Sequence, residues 1–158
     1  MIPTNEDYRL ALARELPMVT QLGLQVDVIE VRAPEDVPGA VEKAKALRAE
    51  GVLVMGDAIL NTPPNRVPDL LAKTSLPALY SSRDPVLAGG LISYIPDMIA
   101  IARRHAQYAD RILRGASPAE MPVEQPTRYS LVVNLKTAKA LGLTVSPSLL
   151  SQADEVIE

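Results

Sequence analysis

The feature that most constrains this chain is an alternation of two periodicities. Segments with apolar residues three and four apart are separated by short apolar runs closed by glycine or polar residues. The clearest run is Gly51-Val52-Leu53-Val54-Met55-Gly56, which ends at Asp57. An apolar run without alternation reads as a strand covered on both faces, as a parallel sheet requires. Helical patterns lie on either side of it, over 35–50 and 64–74. Helix and strand patterns in alternation imply a parallel sheet with helices on both faces. Right-handed crossovers leave few topologies for such a sheet.

The remaining elements follow the same logic. Residues 6–22 read as a helix with Asn5 as N-cap, Pro17 as a kink and Gly23 as the stop. Residues 24–31 alternate, which predicts a strand with one wetter face near a sheet edge. The stretch 35–50 reads as a helix whose true start lies near Gly39. Residues 57–65 are rich in Asn and Pro and read as a loop. Strands are expected at 77–81 and 91–95, with a helical turn over 84–88 between them. The longest helix is expected over 97–114, capped by Asp97 and stopped by Gly115. Pro118, Pro122 and Pro126 make the next segment an extended connector. A strand over 127–134, a short helix over 135–142 and a last helix beginning at Ser146-Pro147 complete the chain.

Composition narrows the function. At 158 residues the chain has one domain's worth of length, enough to hide roughly two-thirds of its unfolded surface. It has five Tyr, no Phe and no Trp, so its core must come from aliphatic residues. Cysteine is absent, which removes disulfides, thiolate metal sites and cysteine nucleophiles. A net charge of −3 argues against nucleic acid as the main partner, since phosphate recognition needs a clustered basic surface. No apolar run reaches the ~18 residues of a membrane span. The N-terminus has no basic region followed by an apolar stretch, so no export signal is read there. The single histidine, His105, lies between Arg104 and Ala106 in the long helix and reads as an ordinary surface residue. Neither a phosphate-cradling glycine loop nor a Gly-x-Ser-x-Gly elbow occurs, and no cofactor or metal is expected.

Polar residues gather where strands end. Asp57 and Asn61 follow the second expected strand, Ser81, Ser82 and Arg83 the third, and Ser93, Tyr94 and Asp97 mark the fourth. In open parallel sheets, ligands bind outside these carboxyl ends. The other role of Asp57 and Asp97 is to start a turn and cap a helix, which Asp often does. None of these residues reads as an activated nucleophile, so binding fits better than catalysis.

Several stretches carry a resemblance. They are Ala-Gly-Gly-Leu-Ile-Ser-Tyr at 88–94, Ile-Leu-Arg-Gly-Ala at 112–116, Pro-Val-Glu-Gln-Pro-Thr at 122–127 and Val-Asn-Leu-Lys-Thr-Ala-Lys-Ala-Leu-Gly-Leu at 133–143. Gly-Leu-Gln-Val at 23–26 and Leu-Pro-Ala-Leu-Tyr at 76–80 fit with them. Together they resemble the C-terminal half of the solute-binding proteins of bacterial ABC-type import systems. The resemblance implies an α/β fold: a three-layer, doubly wound, mainly parallel sheet forming one lobe of a type I periplasmic-binding-protein fold. It implies that 1–96 form the second ligand-binding lobe without its first strand, and that 97–158 form a return segment packing on the lobe or on a partner chain. It implies a small polar solute, such as an amino acid, held between two lobes without chemistry. Contacts would come from Asn5, Asp57, Asn61, Ser81, Ser82, Arg83, Tyr94 and Asp97. The partners implied are membrane permease subunits, and the location is periplasmic. With the first strand missing, the strands at 24–31 and 51–56 would leave an open slot, which predicts self-association. The rival readings are a ligand-sensing domain of a regulator, a small α/β enzyme and a remnant without a transport role. The first lacks a helix-turn-helix and the second lacks a convergent acid, base and nucleophile.

Overall fold

The computed structural model describes residues 1–3, 6–61, 63 and 66–158. Asn5 lies outside them. The elements run β1 (Ile2–Pro3), α1 (Glu6–Gln21), β2 (Glu30–Val31), α2 (Val37–Ala46), β3 (Val52–Val54), α3 (Ala58–Asn61), α4 (Arg66–Leu71), β4 (Ala78–Tyr80), α5 (Asp84–Leu87) and β5 (Ile92–Pro96). They continue with α6 (Met98–Leu113), β6 (Tyr129–Asn134), α7 (Leu135–Ala140), α8 (Pro147–Leu150) and β7 (Glu155–Ile157). Single 3-10 turns cover Pro34–Asp36 and Pro118–Glu120.

Five strands form one sheet in the order β3-β4-β5-β6-β7. The β3-β4-β5 part is parallel, as the alternation predicts. β6 runs antiparallel to β5, and β7 runs parallel to β6. β1 pairs with β2 in parallel, Ile2 opposite Glu30 and Pro3 opposite Val31. Met1 joins this pair to the larger sheet. Its ammonium donates to the Leu53 carbonyl at 2.8 Å, and its own carbonyl accepts from the Met55 amide at 3.1 Å. The strand positions therefore read β2-β1-β3-β4-β5, and the slot foreseen between β2 and β3 is filled over residues 1–3.

The core lies on one face of this sheet. Val52, Val54, Ala78 and Tyr80 point into it, met by Val37, Val41 and Ala44 of α2, Val67 and Leu71 of α4, and Val86 of α5. Gly90 is fitted to the Tyr80 ring: a Cβ there would sit 2.6 Å from Cε2 and 2.8 Å from the Pro85 carbonyl. Only hydrogen at that position lets the turn after α5 close on the core.

Four details differ from the sequence reading. Residues 24–29 show the alternation of a strand but no ladder, and only Glu30–Val31 pair, because a strand exists only where a neighbour supplies hydrogen bonds. The helix over α2 starts at Val37, since Pro38 suits a first turn. The Asn/Pro-rich stretch after β3 is not all loop, because Asp57 starts the short helix α3. The chain ends in a strand, not a helix: β7 adds to β6 after α8.

Candidate functional site

The sheet order locates a crevice. From β1 the chain leaves through α1 to β2 on one side, while from β3 it leaves through α3 and α4 to β4 on the other. The connections diverge at the carboxyl ends of β1 and β3. Open α/β sheets bind ligands at such a switch point.

Two short segments flank it. Gly56-Asp57 follows β3. Asp57 Oδ1 accepts from the Ile59 amide at 2.9 Å, which fixes the carboxylate at the start of α3. The other wall holds Tyr8, in the first turn of α1. Its hydroxyl donates to the Gly56 carbonyl across the switch point at 2.5 Å. Desolvation, and then the charge of Asp57, raise the Tyr8 phenol above its ordinary range, so it stays protonated. Tyr8 was not among the residues read from sequence. A tyrosine in a helical turn has no motif signature, and its place becomes evident only once β1 is known to lie beside β3.

Asn61 and Ser81 complete this corner. A Cβ on Gly56 would come within 2.9 Å of Ser81 Oγ and 3.5 Å of Asn61 Nδ2. Ser81 Oγ donates to the Val54 carbonyl at 3.3 Å. The neighbouring Ser82 Oγ is buried and has no hydrogen-bond partner among the described residues. Thus the structure brings Asp57, Asn61, Ser81 and Ser82 to one end of β3 and β4.

The other residues singled out lie elsewhere or are committed. Arg83 donates through Nε and an Nη to the two oxygens of Glu155, at 2.8 and 2.7 Å. This ties the β4 loop to the start of β7. Tyr94 stacks on Tyr129, ring centroids 5.1 Å apart and nearly parallel. Asp97 Oδ1 accepts from the Ile99 and Ala100 amides at 3.0 and 2.9 Å and caps α6. The Ala100 amide above all, aided by the Ile99 amide and the charges of Arg128 and Arg103 against some desolvation, holds its carboxyl below the usual range. One strand, β4, lies between β3 and β5, and the two spacings put them roughly 10 Å apart. Tyr94 and Asp97 therefore form a second group, beside the antiparallel β5-β6 pair. Ser93, the second residue of β5, pairs with Tyr80 and is wholly buried on the core side.

A groove of about 750 Å³ lies between α6 and the proline-rich connector, and is half open. Arg104 pairs with Glu124, and Tyr108 donates to the Pro122 carbonyl at 2.6 Å, so helix and connector are clamped together. His105 lines this groove and is exposed. No residue of α6 is buried. The segment returns to the sheet next to where it left it: the Asp97 amide donates to the Arg128 carbonyl at 2.9 Å.

Chemically, the switch-point corner offers hydrogen-bond acceptors and donors. Among the described residues no group of three His, Asp or Glu side chains is placed to hold a metal ion. Nor is any helix long and apolar enough to cross a membrane.

The comparisons with known proteins agree with this arrangement. No curated protein matches the chain. Solved structures share its fold, among them the following three. One is a conserved domain protein from Vibrio cholerae, 20% identical over 98% of this chain and 53% of its own, at a TM-score of 0.83. Another is an ABC domain in complex with L-Trp from Streptococcus pneumoniae, 22% identical over 99% of this chain and 54% of its own, at 0.84. A ligand-free, open substrate binding protein with adhesive properties from Clostridium difficile is 17% identical over 99% of this chain and 54% of its own, at 0.73. The chain thus spans about half the length of these structures. The model of one family, ABC transporter substrate binding protein, matches residues 5–157, nearly the whole chain, and the chain belongs to that family.

Proposed function

We propose that this chain supplies one jaw of a two-lobed solute-binding protein serving an ABC-type importer, and that it holds a small polar solute, an amino acid, without chemistry. The observation that carries this reading is the polar corner at the β1/β3 switch point, where Asp57 takes part in none of the ion pairs formed by the described side chains. Asp57, Asn61, Ser81 and Ser82, with Asn5, are the proposed contacts of this lobe. Arg83 acts on the rim through Glu155, and Tyr94 and Asp97 act from the second group. That a fold neighbour holds L-Trp supports an amino acid as the solute class.

The lobe assignment follows the same line. Residues 1–96 are proposed as the second lobe and 97–158 as the return segment, whose β6 and β7 extend the lobe's sheet. The α6-connector unit joins that sheet through two adjacent backbone crossings, at Asp97 and Arg128. Paired crossings of this kind permit hinge closure. Permease subunits are the proposed partners, and the proposed location is extracytoplasmic.

One jaw offers half of the contacts and cannot close. Calorimetry of this 158-residue chain with amino acids is therefore expected to give millimolar or weaker affinity. A micromolar dissociation constant would show that the chain forms a complete site by itself and would overturn the half-receptor reading.

A further inference from the structure

We propose that Tyr8 is a ligand-recognition residue of this cleft and that, together with Asp57, it selects solutes bearing an ammonium group. The inference rests on the reading that solute binds at the β1/β3 switch point, and it adds which chemical group faces that corner.

Hydrogen-bond capacity decides the matter. A phenol has one proton and can also accept. The Tyr8 proton is committed to the Gly56 carbonyl, so toward the crevice its oxygen is left only as an acceptor. Asp57 is an acceptor-only group once ionised, and among the described residues its Oδ1 is used by the Ile59 amide while Oδ2 has no hydrogen bond. No basic side chain among the described residues forms an ion pair with it. Two acceptors, one of them charged, therefore meet at this wall. A group that satisfies both must bring two or more protons and positive charge, which describes an ammonium. A carboxylate there would face like charge and lone pairs.

The β4 side of this corner has the complementary chemistry. The Ser81 proton is committed to the Val54 carbonyl, but Asn61 Nδ2 and the Ser82 hydroxyl, which is buried without a partner among the described residues, are donors. An amino acid would lie with its ammonium toward Tyr8 and Asp57 and its carboxylate toward β4. Tyr8 also orients its neighbour, since its bond to the Gly56 carbonyl holds the peptide unit that leads into Asp57.

The test compares three probes of one ring size on the 158-residue chain, followed by amide chemical shifts in two-dimensional NMR at millimolar concentration. They are L-phenylalanine, phenethylamine and 3-phenylpropionate. The two amines are expected to move the signals of Gly56 and Ala58, and phenylpropionate to leave them in place. Tyr8→Phe is expected to weaken the amines roughly tenfold, the size of one hydrogen bond to a charged group. Asp57→Asn, which keeps an oxygen for the Ile59 amide, should abolish the preference for amines and so does not depend on Tyr8→Phe folding normally. Equal shifts from all three probes, or undiminished amine binding by Tyr8→Phe, would overturn the role of Tyr8 and leave the cleft standing. Shifts confined to other parts of the molecule would overturn the cleft, and this inference with it.

Discussion

The two faces of the β3-β4 sheet are made of similar residues and have different fates. On one face Val52, Val54, Ala78 and Tyr80 are buried beneath α2, α4 and α5. On the other, Leu53 and Leu79 stand opposite each other in the ladder and remain 50% and 38% exposed. The same row continues through Ile92 to Val133, which is buried, and to Val156. The second face is thus sealed near β6 and open over β3 and β4. α1 buries none of its described apolar residues fully: Leu12, Leu16 and Val19 are half-buried, and Leu10 and Met18 are exposed. The lesson is that an apolar run records which surfaces require cover. It does not say whether the chain itself provides it.

The largest effect tests the contrast directly, on adjacent residues of β4 that point to opposite faces. Tyr80→Ala is expected to cost about 3–5 kcal/mol, because a fully buried ring leaves a cavity. Leu79→Ala is expected to cost about 1–2 kcal/mol, since part of its surface already meets water. Urea unfolding measures both. Equal losses would mean that the two faces are equally packed.

A second effect comes from the end of the buried row. In the 158-residue chain the Met1 α-amino group is inside the sheet, and burial pushes it from 8.0 down to about 6. A lowered folded pKa means that folding favours the neutral amine. Stability is therefore full above pH 8, falls as pH drops from 8 to 6 because the unfolded chain takes up the proton first, and is level below 6. At 1.36 kcal/mol per pKa unit the loss is about 2–3 kcal/mol. Adding one residue before Met1 turns the ammonium into an amide and should flatten this part of the curve. A slope unchanged by that extension would rule out Met1 as its source.

Gly90→Ala sharpens the same contrast at the core's edge. The added methyl meets the Tyr80 ring and a backbone carbonyl, so a loss of about 1–3 kcal/mol is expected from overpacking. Thermal unfolding would show it. A neutral result would mean that the Tyr80 ring moves freely aside, and that the sealed face is less tightly packed than its burial implies.

These regions also show how much the sequence makes legible. The helix-strand alternation, the Asp97 cap and the Ser146-Pro147 helix start appear as expected. They depend on local chemistry, which neighbours in sequence carry. β7 was missed because three residues after a helix have too little periodicity to distinguish strand from coil. Residues 24–29 were over-read for the opposite reason: the alternation is there, but a ladder needs a partner strand. The proposed site divides in the same way. Asp57 and Ser81 were visible because they follow strands directly. Tyr8 was not, because its role depends on strand order, a property of the whole sheet.

The smallest effect on stability is expected from the open face, and it comes with a large effect on assembly. Exposed apolar patches on a sheet mark surfaces that associate. The chain is therefore expected to self-associate through this face, with α6 adding Met98, Ile99 and Leu113, all more than half exposed. Replacing Leu53 and Leu79 together by Lys keeps an aliphatic stem over a surface that is only partly buried, so a loss of about 1 kcal/mol in all is expected. Light scattering should instead show the wild-type chain as a dimer or larger and the double variant as a monomer, because paired ammonium groups cannot be buried against an apolar neighbour. A wild-type chain that is already monomeric would mean that the half-exposed leucines are tolerated in water and that this face needs no cover.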